Sequence, residues 1–219
     1  MSDILKLGVL ASGRGSNLQS ILDAIDAGDL EARVNVVISN TPRCLALERA
    51  SGRGIRAECI SRKAAGGRQS QLLKMTETLQ ETGVDMVVLA GFNLITPPEM
   101  AAAFPDRILN IHPSLLPAFA GGMAPSPQQD AIDWGAKVSG CTIHVVTDDL
   151  DAGPIVAQAA VPVRDTDDAE TLSDRILVEE HRLYPQVLQW FAEGRVRVAG
   201  RRVFVAETPD STEAGECPH

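Results

Sequence analysis

Apolar runs of strand length recur through the first half of this chain, each followed by a stretch with helical spacing, and this alternation is what most narrows its fold. Residues 4–10 and 84–90 are nearly continuous apolar runs, as interior strands of a parallel sheet covered on both faces require. Residues 33–39 and 55–60 read as two further strands. Helices are expected over 18–27, where Leu18, Ile21, Leu22 and Ile25 form one stripe ended by Gly28, over 43–50, and over 69–80 before Gly83. A fifth strand runs into residues 110–112, and a pair over 137–146 and 154–163 flanks a short acidic turn, a spacing that suits an antiparallel connection. A long helix from 166 to about 190 and a hairpin over 195–205 turning at Gly200 complete the pattern. The expected fold is α/β: a single domain over residues 1–206 on a doubly wound, mostly parallel, Rossmann-like sheet with an antiparallel portion toward the C-terminus. Residues 207–219 are expected to be a disordered polar tail, and residues 118–129, with Gly121, Gly122, Pro125 and Pro127, a loop able to act as a lid.

Composition excludes several classes of partner. A net charge of −9 with no Lys/Arg cluster argues against nucleic acid. No apolar run approaches the roughly 18 residues of a membrane span, and the N-terminus carries no secretion leader, so a cytoplasmic location without membrane attachment is expected. Cys44, Cys59, Cys141 and Cys217 have no metal-ligand spacing, so reduced thiols and no metal are expected. A small phosphate-bearing ligand stays compatible with the acidic balance, because one helix terminus can hold it.

The first strand runs straight into Ser12-Gly-Arg-Gly-Ser-Asn17 and then a helix. Gly13 and Gly15 let backbone N–H groups approach an anion. The dinucleotide fingerprint would need a third glycine where Leu18 stands, and the Gly-Lys-Ser/Thr of the Walker loop is absent. A tight turn without a ligand stays open on this motif alone. Ligands of such sheets gather beyond the carboxyl ends of the strands, and the fifth strand there presents Asn110 and His112, alternate residues sharing a face. About 30 residues on, the turn supplies Asp148, Asp149 and Asp151. A donor, an acid/base and a carboxylate are the parts of an acyl-transfer site.

Four stretches together resemble the folate-dependent formyltransferases: Ser12-Gly-Arg-Gly-Ser-Asn-Leu18, Leu89-Ala-Gly-Phe92, Asn110-Ile-His-Pro-Ser-Leu-Leu-Pro117 and Asp148-Asp-Leu-Asp-Ala-Gly-Pro154, with Glu179-Glu-His-Arg-Leu-Tyr-Pro185 as a fifth. The resemblance covers residues 4–206 and is most specific in the second pair of these blocks. It implies transfer of the formyl group of 10-formyltetrahydrofolate to the amine of glycinamide ribonucleotide in purine synthesis, with no metal, by a monomer or homodimer. By the same resemblance Asn110, His112 and Asp151 are catalytic. Gly15, Ser16 and Asn17 hold the phosphate, and Glu180 takes the ribose hydroxyls. Leu89, Phe92, Asn93, Leu94, Ile95, Thr96, Val146 and Asp148 form the pterin cleft, and Arg68 faces the folate tail. In that chemistry Asn110 donates to the formyl oxygen, while Asp151 favours an imidazolium at His112 and can itself receive the amine's proton.

Two departures bear on the substrate. The family usually follows Leu-Leu-Pro with Pro-Gly-x-His and then Arg or Gln, whereas residues 120–127 are Ala-Gly-Gly-Met-Ala-Pro-Ser-Pro, and no Lys or Arg occurs between Arg107 and Lys137. A lysine common three positions before the helical glutamate is replaced by Leu177, leaving Arg14 or Arg175 to supply the charge. The alternatives are a relative acting on initiator methionyl-tRNA or a nucleotide amino sugar, a formyl-folate hydrolase, or a catalytically silent nucleotide- or folate-binding module. The tRNA and hydrolase relatives carry extra domains for which 219 residues leave no room.

Overall fold

The computed structural model describes residues 4–121 and 127–207. Five strands pair in parallel: β1 (Leu5–Leu10), β2 (Ala32–Ser39), β3 (Arg56–Cys59), β4 (Met86–Leu89) and β5 (Ile108–His112). β6 (Val138–Val145) joins β5 antiparallel and β7 (Ile155–Pro162) joins β6 antiparallel, giving the order β3-β2-β1-β4-β5-β6-β7. The mixed, mostly parallel sheet is therefore the one expected, with its antiparallel portion where the acidic turn predicted it. β8 (Val196–Ala199) and β9 (Arg202–Val205) form the small hairpin.

Neighbouring residues of one strand feed opposite cores. Leu7 and Val9 of β1 pack with Leu18, Ile21, Tyr184 and Val187 of α1 (Ser16–Ala27) and α7 (Ala169–Ala192). Leu10 of the same strand joins Leu72, Met75 and Leu79 of α4 (Arg68–Glu81) on the other face. This two-sided burial explains why the strands read as continuous apolar runs, and each fully buried aliphatic side chain contributes about 1.5–3 kcal/mol. α7 opens on a capping box in which Asp168 and Thr171 satisfy each other's backbone N–H groups. No helix of the described residues is long and apolar enough to cross a membrane.

Helices were harder to delimit than strands. α1 starts two residues before Leu18, and α2 (Leu45–Gly52) starts after Arg43, whose φ is 58°. The short α3 (Arg62–Ala65) and α5 (Pro98–Ala103) have no apolar period long enough to announce them. α6 (Pro127–Asp133) begins inside the stretch expected to be loop. Pro127 reads as a breaker, but at a first helical position its missing N–H costs nothing. Residues 122–126 of that stretch and the tail from 208 lie outside the described residues, and so do the expectations placed on them.

Strand order reverses between β1 and β4, so the loops leaving these two strands diverge and open a crevice at the sheet's carboxyl edge. The Ser12 N–H donates to the Gly91 carbonyl at 3.1 Å and ties the two loops together at its floor.

Candidate active site

β5 delivers Asn110 and His112 to this edge with buried Ile111 between them. β6 runs back alongside, and its His144 pairs directly with Asn110. The following turn then folds onto β6, with the Val145 N–H bonded to the Pro154 carbonyl at 2.9 Å. Only glycine fits at 153 there, since a Cβ would lie 1.8 Å from the Val145 oxygen. Asp151 adopts a left-handed φ of 49° and turns its carboxylate inward. Its Oδ2 lies 3.3 Å from His112 Nδ1 and accepts the Gly121 N–H at 3.0 Å, while its Oδ1 lies 3.5 Å from His144 Nε2. The three residues expected to act together therefore converge, although Asp151 comes from a separate segment.

The hydrogen bonds constrain the protons. His112 Nε2 faces the Phe119 carbonyl at 3.1 Å and Nδ1 faces Asp151, so both ring nitrogens point at acceptors. The His144 bond and nearby His112 hold the Asp151 carboxyl below its ordinary value. Burial lowers the His112 imidazole below 6.5 and outweighs the opposing pull of Asp151 and the Phe119 carbonyl. Asp151 thus does favour an imidazolium, as expected from sequence, but desolvation wins and the resting ring is neutral near pH 7. One proton serves two acceptors. His144 Nδ1 lies 3.1 Å from the Val145 carbonyl oxygen, and its Nε2 lies 3.1 Å from Asn110 Nδ2 and 3.5 Å from Asp151 Oδ1, so one ring touches both the amide and the carboxylate. Among the described residues the Asn110 side chain has no other hydrogen-bond partner, and its amide has a further N–H to offer a ligand oxygen.

A cavity of about 210 Å³ opens in front of the trio. Its walls include Leu89, Phe92, Leu94, Ile95, Thr96 and Val146, with Asp148 and Asp149 at the rim. One residue assigned to this cleft by resemblance, Asn93, does not line it. Asn93 accepts from Asn40 Nδ2 at 2.8 Å, and its backbone N–H donates to Ser12 Oγ at 3.0 Å, so it braces the loop from behind. Arg68, matched by resemblance to a position facing the folate tail, is exposed at the start of α4.

A second pocket, of about 300 Å³, shares Gly91 and Pro113 with the first and lies over the N-terminus of α1. It contains Gly15, Ser16, Asn17 and Glu180, which the sequence reading had grouped. Gly15 caps α1 at φ 68° with no side-chain hydrogen bond, leaving the first-turn N–H groups available to an anion. A Cβ there would lie 2.8 Å from both Cα and Cβ of Ala46. Glu180 is buried, its carboxyl raised by desolvation, and it accepts Asn17 Nδ2–H at 2.8 Å. The Asn17 Oδ1 is buried with no partner among the described residues.

Sequence reasoning missed His144. Its signal was faint: one histidine inside an apolar strand beside the acidic turn, meaningful only once β6 is known to pair with β5 so that 144 faces 110.

Comparison with known proteins places this geometry. A family model described as formyl transferase matches residues 5–188. The crystal structure of glycinamide ribonucleotide transformylase 1 from Symbiobacterium toebii superposes with a TM-score of 0.89 at 48% identity, over 93% of this chain and 95% of that one. Phosphoribosylglycinamide formyltransferase of Haemophilus influenzae is 40% identical over 91% of this chain and 93% of its own length. The Bos taurus trifunctional purine biosynthetic protein adenosine-3 is also 40% identical over 92% of this chain, which spans only 20% of that longer protein.

Proposed function

This chain belongs to the formyl transferase family, and from that premise we propose how its residues divide the work of formylating glycinamide ribonucleotide in de novo purine biosynthesis. The observation that carries the reading is the meeting of Asn110, His112 and Asp151 where an apolar cavity joins an anion pocket.

The chain's residues suit 10-formyltetrahydrofolate. The apolar walls of the first cavity match a flat heteroaromatic ring, and the Asp148 and Asp149 carboxylates at its rim are acceptors for the ring's N–H groups. When bound, this co-substrate supplies the formyl carbon. The second pocket suits the ribonucleotide, with the α1 N-terminus toward phosphate and Glu180, oriented by Asn17, toward hydroxyl groups.

Asn110 donates its free amide N–H to the oxygen on which negative charge gathers as the amine attacks. Removing such a donor elsewhere costs about 3–4 kcal/mol. The attacking nitrogen becomes acidic as its bond to carbon forms, and the His112–Asp151 pair, one proton short, takes that proton. Both ring contacts of His112 are then donor to acceptor, and the imidazolium is held by the ionised Asp151 carboxylate. His112 can return the proton to the departing nitrogen. His144 acts through others, holding the Asn110 amide and the Asp151 carboxylate in place.

The test is formyl transfer from 10-formyltetrahydrofolate to glycinamide ribonucleotide by the purified protein, followed by absorbance of the released folate. Turnover with this acceptor is expected. Formate release without transfer would indicate a hydrolase, and turnover only with another amine would reassign the acceptor.

A further inference from the structure

We propose that Arg14, on the glycine loop, supplies the positive charge that binds the substrate phosphate in a pocket whose helical wall presents the uncharged Leu177. The proposal rests on reading the pocket over α1 as the ribonucleotide site. Arg14 and Leu177 both line that pocket, and Arg14 is its one Lys or Arg among the described lining residues. The segment between Arg107 and Lys137, including the residues not described, has no Lys or Arg to add.

Nearby cations are already engaged. Arg175 donates to both carboxylate oxygens of Asp167, at 2.7 and 2.8 Å, and to the Pro162 carbonyl at 2.7 Å, so it is not the source of that charge. Arg49 binds the Arg14 carbonyl at 3.0 Å and Gln19 Oε1 at 2.7 Å. Arg182 is paired with Glu179. The Arg14 guanidinium is exposed and has no partner among the described residues.

The loop is also held for this purpose. The Ala46 N–H bonds to the Gly13 carbonyl at 3.3 Å, Arg49 holds the next carbonyl, and Gly15 packs against Ala46, so the Arg14 backbone is fixed at the pocket mouth. A phosphate dianion entering here meets the Glu180 carboxyl and a helix terminus worth roughly half a positive charge. A forked guanidinium offsets the remainder through two parallel N–H···O bonds, which an ammonium cannot make.

The experiment compares kcat/KM for glycinamide ribonucleotide with that for glycinamide riboside, which lacks the phosphate, in the wild-type protein and in Arg14→Gln. The wild-type preference for the ribonucleotide should fall roughly tenfold to a hundredfold in the variant, the range of a lost charge-assisted hydrogen bond. Adding Leu177→Lys to Arg14→Gln should restore much of the preference, which a merely structural role for Arg14 does not predict. A wild-type protein that prefers the ribonucleotide and an Arg14→Gln variant with the same preference would overturn the assignment of Arg14 alone. A wild-type protein that formylates neither amine would overturn it together with the reading on which it rests.

Discussion

Replacing Asp151 by asparagine removes one charge while leaving volume and backbone intact. Asparagine tolerates the left-handed φ of 49° at this position and can still accept the Gly121 N–H. The lost quantity is the attraction between the carboxylate and the imidazolium formed as His112 takes the amine's proton. Oδ2 lies 3.3 Å from His112 Nδ1, and the two side chains are only 10% and 5% exposed, so solvent screens the pair little. Two unit charges about 4 Å apart at an effective dielectric of about 20 interact by about 4 kcal/mol. At 1.36 kcal/mol per power of ten, kcat should fall about a thousandfold. The assay is steady-state formyl transfer, with circular dichroism and urea unfolding at pH 7 to show that the fold persists. The stability effect has a definite sign. The folded-state carboxyl lies below its unfolded value, so Asp151 stabilises fully above about pH 4 and this contribution vanishes as pH falls through the lower folded value. The variant should lack that acid-side loss. A kcat within tenfold of wild type would refute the proton-acceptor role of the pair.

Because burial lowers the His112 imidazole, the acid limb of kcat/KM against pH should have its midpoint below 6.5; a limb at or above 6.5 would contradict the neutral resting ring. Gly15→Ala forces a side chain into a left-handed residue, at about 1–2 kcal/mol, and against Ala46, at about 1–3 kcal/mol more, so lowered thermal stability and weakened ribonucleotide binding are both expected; unchanged values would show that the loop can yield. Tyr184 is wholly buried on α7, and its hydroxyl lies 3.1 Å from the Leu89 carbonyl and 2.9 Å from the Leu109 carbonyl, joining the strand ends beside the site. Tyr184→Phe should cost about 1–3 kcal/mol in urea unfolding, and a change under 0.5 kcal/mol, the usual size of an indifferent substitution, would mean those carbonyls do not need it.

The chain's own pattern determined what depends on neighbours along the sequence. Continuous apolar runs announced strands buried on both faces, the acidic turn announced the antiparallel pair, and the period of two put Asn110 and His112 on one side of β5. The motif blocks named the segments that meet at the sheet's carboxyl edge. Tertiary structure decided what depends on register and on the path of turns. His144 became part of the site because β6 pairs with β5 at one alignment, and a shift of one residue would have turned it to the opposite face. Asn93 left the expected cleft because Asn40 and Ser12, from loops after β2 and β1, were there to bind it. The neutral state of His112 follows from burial by elements distant in sequence, a desolvation that no local motif encodes.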